Sequence, residues 1–310
     1  MSAKNSDALY FGIGVCRAIS GHLNKSTISL LVKIENDEVV SFPLYVEAIR
    51  FAFHEESMIR TAIRKLTLNV YHVGDESVDR FVTSGTLANY FTDLVGFFKR
   101  QCLTLNNLVI QASREISKDL SSAIVASVDE IEDNLYYYSD IISAGIPDVD
   151  RLITDNLLRL FILPLLLPSL VDAELAMGAV TSLYLLCCIL RIVKIKDLAN
   201  TIVSAFFCPQ GAFVSLSKAK KVVMYIWQRM GGNLKLDSSE DFSLPNTSAD
   251  LNWSLWEAVL SYLNVGNDVQ ILGSLSVLST LLQTKVELEE SMLDALGILP
   301  KRKQHKKLLL

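Results

Sequence analysis

Residues 41–75 read SFPLYVEAIRFAFHEESMIRTAIRKLTLNVYHVGD. Pro43 suits the first turn of a helix, where its missing N–H costs nothing. Leu44, Ala48, Ile49 and Ala52 then fall on one apolar face. A turn follows at residues 54–57, and Ser57 is placed to cap a second helix. In that helix Ile59, Ala62, Ile63, Leu66 and Val70 recur at helical spacing. Arg60, Arg64 and Lys65 fall between them, on the face expected to meet water. Two short antiparallel helices of this kind make one HEAT- or armadillo-like repeat. Such a unit cannot bury its apolar face alone, so neighbours must stack on it.

Extended outward, the pattern predicts an all-α chain, a HEAT/armadillo-like α-solenoid of stacked antiparallel helices. Two helices are expected over residues 8–36, broken near 21–25, with Asn24 or Ser26 capping the second. Residues 37–41 read as a connector. Further helices are expected over 87–101, 105–113, 120–138, 148–161, 175–194, 196–206, 212–230, 251–263, 269–283 and 288–296. Residues 231–250, GGNLKLDSSEDFSLPNTSAD, lack periodicity and read as a flexible insertion. The expected organisation is a helical-repeat region over 1–230, the insertion, and C-terminal helices of the same solenoid over 251–310.

Composition agrees with this class. Half of the 310 residues are hydrophobic, and only 14 are Gly and 7 Pro, which favours helices over a turn-rich sandwich or barrel. A net charge of −5 and a pI near 5.5 provide no global positive field, so no nucleic-acid partner is expected. The cysteines are Cys16, Cys102, Cys187, Cys188 and Cys208. Their odd count and irregular spacing, with no CxxC, read as reduced thiols in a cytosolic protein. Residues 1–7 are polar and lack a basic leader, which argues against a secretory signal. The sequons at Asn24 and Asn246 carry little meaning without one.

Mean hydropathy is high, +0.33, and two apolar stretches are candidate membrane spans. Residues 160–168, LFILPLLLP, are too short for a span and contain Pro164 and Pro168. Residues 175–190, LAMGAVTSLYLLCCIL, are also short and follow Asp172 and Glu174. Both read as buried core helices. The alternative is an integral or re-entrant membrane protein using residues 160–190.

The pair Gly12 and Gly14 lacks the third glycine and the preceding strand of a dinucleotide fingerprint. No P-loop, GxSxG or HExxH is present. His22, His54, His72 and His305 stand apart from one another and from cysteine. Asp129, Glu130, Glu132 and Asp133 precede Tyr136, Tyr137 and Tyr138. Carboxylates at i, i+4 can hold a cation or do acid–base work in a cleft. The plainer reading is a solvated helix face followed by aromatic core. No enzyme activity, cofactor or metal is expected.

Two basic groups are candidate interaction surfaces. Arg50, Arg60, Arg64 and Lys65 form a stripe suited to an acidic partner. Lys301, Arg302, Lys303, Lys306 and Lys307 form a run suited to anionic lipid. The run ends in Leu308, Leu309 and Leu310. The chain therefore reads as cut from a longer solenoid, with apolar helix faces left without neighbours near 10–15 and at 308–310.

At Phe42, Pro43 and Leu44 the chain resembles the FPL-domain family, named for that tripeptide. The resemblance continues through residues 136–152 (YYYSDIISAGIPDVDRL), 163–170 (LPLLLPSL), 180–199 (VTSLYLLCCILRIVKIKDLA) and 288–310. It covers most of the chain from about residue 17, and the first ten residues do not share it. It implies a peripheral protein on the cytosolic face of Golgi, endosomal or vacuolar membranes. It also implies trafficking or autophagy proteins as partners, and roles in vacuolar trafficking, autophagy and, in plants, flavonoid accumulation. The family's animal branch adds an expected link to ubiquitin-ligase machinery. The resemblance supplies no catalytic residues.

Overall fold

The computed structural model describes residues 14, 18–115, 117–171, 175–207, 254–284 and 288. The helices expected over 212–230 and 288–296, the insertion at 231–250, the basic run at 301–307 and both apolar ends lie outside the described residues, apart from Gly14 and Leu288. The described chain is mostly helical, as expected for the all-α class, with one short β-hairpin. It divides into two compact units: residues 1–108 with 116–157, and residues 109–115 with 158–310.

The hairpin corrects the first expectation. A helix was expected up to residue 36, with a connector to 41. Instead β1 (Lys33–Glu35) pairs antiparallel with β2 (Glu38–Ser41), Glu35 opposite Glu38. The two turn residues, Asn36 and Asp37, have φ of 54° and 63°. Asn and Asp tolerate this left-handed conformation, which matches the twist of the flanking strands. Neither Asn24 nor Ser26 caps a second helix: residues Ile28–Leu30 form a single 3-10 turn whose N-cap, Thr27, supplies no side-chain cap, and Asn24 Oδ1 instead accepts from the N–H of Ser26 and Thr27 at 2.9 and 3.1 Å in the turn before it.

The repeat-like segment folds as two helices, α1 (Pro43–Ile49) and α2 (Ser57–Tyr71). Pro43 occupies the first turn. Ile59, Ala62, Ile63, Leu66 and Val70 are all buried. Glu56, not Ser57, is the residue before α2, and it supplies no side-chain cap. Next come α3 (Glu76–Val82), α4 (Asn89–Ala112), α5 (Lys118–Ser143) and α6 (Val149–Leu157). The two helices expected over 87–113 are one, because Cys102, Leu105 and Asn106 carry the buried stripe through the expected break. In this first unit α1 packs on α2, α2 on α5, and α5 on α6. Phe42, Tyr45, Tyr71, Phe91, Phe98 and Tyr138 fill the core between them.

In the second unit residues Leu158–Leu166 form a π-helix around Pro164. Proline has no N–H and its ring collides with the carbonyl four residues back, so the α register cannot pass through it. The wider turn accommodates the ring, and the N–H of Leu167 bonds to the carbonyl of Ile162 at 2.9 Å. Phe161, Ile162, Leu163, Leu166, Leu167 and Leu170 are buried. Among the unit's described residues follow helices α7 (Ala179–Ile192), α8 (Lys196–Phe206), α9 (Leu255–Val265) and α10 (Asp268–Gln283). Ser254 with Glu257 and Asn267 with Gln270 form capping boxes on α9 and α10. One described run, Val149–Leu170, is long and apolar enough to cross a membrane, and 67% of its window is buried inside the protein.

Helices α7 and α10 meet closely at Gly273. A Cβ there would stand 2.9 Å from Leu183 Cδ1 and 3.1 Å from Leu183 Cβ. Gly273→Val is therefore expected to destabilise the fold by roughly 1–3 kcal/mol through overpacking. Thermal unfolding followed by circular dichroism checks this, and an unchanged midpoint would show that the seam relaxes freely.

Candidate functional site

The stripe expected from the sequence is split by the fold. Arg50 is exposed and pairs with Glu47, also exposed, at 3.0 Å. Lys65 is exposed, and Arg64 is half-buried. Arg60, expected on the outer face, is instead buried, with 7% of its surface left to solvent. Spacing alone places it between apolar positions, but a long chain at a helix boundary can turn inward when carboxylate and carbonyl acceptors await it.

Those acceptors come from two directions. Arg60 Nη1 donates to the carbonyls of His54 and Glu55, both at 2.7 Å, so the side chain grips the turn between α1 and α2. Its Nη2 donates to Glu130 Oε2 on α5 at 2.6 Å. The guanidinium also lies 5.7 Å from the Phe97 ring centroid on α4. One turn along, Arg64 Nη2 donates to Asn134 Oδ1 at 2.7 Å. The amide of the fully buried Asn134 donates in turn to the Gln101 side chain and the Glu130 carbonyl. Burial pushes the Glu130 carboxyl upward, but hydrogen bonds from Arg60 and Gln101 and the charges of Arg60 and Arg64 outweigh it. The carboxyl is held below its ordinary value of 4.5.

The acidic cluster is thus partly absorbed by the fold. Glu130 is the internal partner of Arg60, while Asp129 and Asp133 are exposed. Tyr137 and Tyr138 are core residues, whereas Tyr136 is 54% exposed. The Tyr137 hydroxyl bonds to Thr67 and Tyr90 at 2.7 and 2.8 Å. Burial raises its pKa, and those two hydrogen bonds and the Arg64 charge only partly oppose this. Beside this network a shallow groove of about 490 Å³ runs between α2 and α5. Arg64, Lys65 and His72 line one side, and Asp133, Tyr136 and Asp140 the other. Its charges are mixed, so the acidic counterpart sought for the stripe is supplied largely by α5 itself.

A second acidic group surrounds α3. Asp75 caps that helix, accepting from the N–H groups of Ser77 and Val78. Asp79 lies one turn on, half-buried, and burial with the charges of Asp75 and Glu76 pushes its carboxyl up to about 6. Among the described residues no group of three His, Cys, Asp or Glu is placed to hold a metal ion. Cys102 and Cys188 are buried, and Cys187 is half-buried.

The comparison with known proteins agrees with the reading of Phe42–Leu44. The FPL family, described as "Uncharacterised conserved protein", matches residues 1–71, so the first ten residues, expected to depart from it, fall within the match. The chain belongs to the FPL-domain family. It is 51% identical to the protein TRANSPARENT TESTA 9 of Arabidopsis thaliana over 336 aligned residues, 99% of this chain and 40% of that protein. The CLEC16A homolog of Drosophila melanogaster is 36% identical over 55% of the chain and 15% of its own length. CLEC16A of Mus musculus is 30% identical over 64% and 19%. The chain therefore spans 40% or less of each of these relatives. No solved structure matches it.

Two outcomes are expected. Arg60→Ala leaves Glu130 without its strongest partner and the turn carbonyls without a donor, a loss of about 3 kcal/mol. Because the Glu130 pKa is depressed on folding, its stabilisation is full above the unfolded value near 4.5 and is lost as pH falls through the lower folded value. The gap between wild type and Arg60→Ala in urea unfolding should accordingly narrow at acid pH; a constant gap would sink the assignment. Asp79 carries the opposite sign: with its carboxyl raised from 3.8 to about 6, its contribution is present below 3.8 and lost as pH rises through 6. Asp79→Asn is expected to raise the melting midpoint at neutral pH and to have no effect near pH 3.8. Thermal melts across that range decide it.

Proposed function

We propose that this chain acts as a non-enzymatic helical-repeat scaffold in membrane trafficking, on the route from Golgi and endosomes to the vacuole and in autophagy. The observation that carries the proposal is its similarity, across nearly its whole length, to TRANSPARENT TESTA 9, with CLEC16A proteins as further relatives. By the same resemblance the proposal extends to vacuole development and flavonoid accumulation in plants. The helix pair α1–α2, packed against α5, supports reading the FPL segment as one unit of a HEAT/armadillo-like solenoid. The network around Arg60 and Asn134 supports a structural role for these polar groups: they are consumed by contacts within the fold.

The proposed site of action is the cytosolic surface of Golgi or endosomal membranes, reached peripherally. Lys301, Arg302, Lys303, Lys306 and Lys307 are proposed to contact anionic headgroups, each adding roughly 1 kcal/mol near such a surface. Arg50 and Lys65, the exposed members of the stripe, are proposed to meet an acidic segment of a trafficking or autophagy protein, with ubiquitin-ligase machinery as one class of partner. A second reading, insertion of residues 160–190 into the bilayer, is favoured by one observation: the length and apolarity of Val149–Leu170.

Alkaline carbonate treatment of plant-cell membranes separates the two. The scaffold is expected in the supernatant, and replacing the five basic residues by Ser should shift it to the soluble fraction before any treatment. Release by detergent alone would overturn the peripheral reading in favour of insertion.

A further inference from the structure

The contacts between α2 and α5 keep one register. Arg60 meets Glu130, Arg64 meets Asn134 and Thr67 meets Tyr137, each pair 70 residues apart. Helices that hold a constant offset over two turns run side by side in the same direction. Their outward faces therefore stay in step as well. Three further pairs, each 68 residues apart, line the groove between the two helices: Lys65 with Asp133, Leu68 with Tyr136, and His72 with Asp140.

The inner and outer pairs differ. The inner ones are closed by hydrogen bonds of 2.6 to 2.7 Å. Among the described residues the side chains of Lys65, Asp133 and Asp140 enter no hydrogen bond or ion pair. The His72 ring donates from Nδ1 to the Leu68 carbonyl at 2.7 Å, which leaves Nε2 for another partner. Both polar pairs thus stand open across the groove. Between them lies an apolar pair, Leu68 and the largely exposed Tyr136. Charges separated by water gain little from one another, so each can turn to a ligand.

The spacing indicates the shape of that ligand. Leu68 is three residues from Lys65 and four from His72, so the three pairs span about 10.5 Å along the helix axes. A guest helix presents residues i, i+3 or i+4, and i+7 on one face over the same distance of about 10.5 Å. An extended strand presents i, i+2 and i+4 over about 13.5 Å and falls out of step. The charges indicate its chemistry. An acidic side chain fits the α2 wall, beside Lys65 and His72. A basic one fits the α5 wall, beside Asp133 and Asp140. An apolar residue between them covers Leu68 and Tyr136.

We propose that the α2–α5 groove docks an amphipathic helix of a partner protein, its apolar stripe bordered by acidic residues on one flank and basic residues on the other. This contact rests on the scaffold function proposed for the chain and narrows its partner: the docking segment carries both signs, and Arg50 takes no part in the groove.

Fluorescence anisotropy with the full chain and three labelled helical peptides tests this. Each peptide has about 18 residues, enough to hold a helix, and the same leucine stripe. The first carries Glu on one flank and Lys on the other, the second Glu on both, the third Lys on both. The first is expected to bind at least about tenfold more tightly than the others, because a one-sign peptide sets like charges against one wall. Tyr136→Ala and Lys65→Glu are each expected to weaken it at least about fivefold, with unchanged circular dichroism, since both side chains are exposed. Leu272→Glu, at an exposed leucine of α10 in the second unit, should leave binding unchanged. The Tyr136→Ala result decides alone should Lys65→Glu fold poorly. Equal binding of the Glu-only peptide would overturn the proposal in favour of a plain basic patch. So would binding lost with Leu272→Glu but kept with Tyr136→Ala, or no binding of the mixed peptide. None of these outcomes alters the carbonate result, so failure of the groove is distinguishable from failure of the peripheral scaffold.

Discussion

Arg60 has five N–H donors and almost no access to water, so its position depends on what the neighbouring segments offer it. They offer two carbonyls from the turn before its own helix and one carboxylate from α5, whose sequence lies 70 residues away. A buried guanidinium cannot lose its proton to escape the cost of desolvation. Every arrangement of the first unit that keeps Arg60 inside must therefore bring Glu130 to it and hold the α1–α2 turn in shape. Removing any one of these partners strands charge or backbone dipoles away from solvent, which is why the contact constrains more of the fold than its single ion pair suggests.

The polar contacts around it follow from the same constraint. With α2 and α5 held together, Arg64 reaches Asn134, and the amide of Asn134 reaches Gln101 on α4. Deeper in, hydroxyls pair with one another: Tyr45 with Tyr71 at 2.8 Å, and Tyr137 with both Thr67 and Tyr90. The Tyr138 hydroxyl donates to the carbonyl of Leu94. Each ring contributes apolar area and each hydroxyl is satisfied, so the core is aromatic without leaving these polar tips unpaired. Such a network suits a rigid framework. Burial raises the pKa of the Tyr137 and Tyr138 hydroxyls and keeps them neutral.

The second unit obeys different physics. Helix α7 is apolar nearly all round, and its contact with α10 relies on close approach at Gly273 and on small side chains such as Ser182 and Ser274. The hydroxyls of Ser182 and Ser274 are buried with no hydrogen-bond partner among the described residues. Pro164 sets the wide turn that leads into this packing.

Local rules made much of this legible in the residues alone. Pro43 marked the start of α1, the 3.6-residue period of Ile59 to Val70 marked the buried face of α2, and α8 runs between the residues expected from its periodicity, 196 to 206. These features depend on neighbours within one or two helical turns, and so does the Phe42–Leu44 motif that carried family membership. The hairpin at Asn36–Asp37 was also written locally, in two residues that accept positive φ between β-branched neighbours, but helical periodicity was read through it. Only the tertiary structure decided the fate of the charges. Arg60 and Lys65 have the same sign and lie five residues apart, yet one is buried and the other exposed. The difference lies in which acceptors the folded chain brings within 3 Å, and Glu130 comes from another helix that no local pattern connects to Arg60.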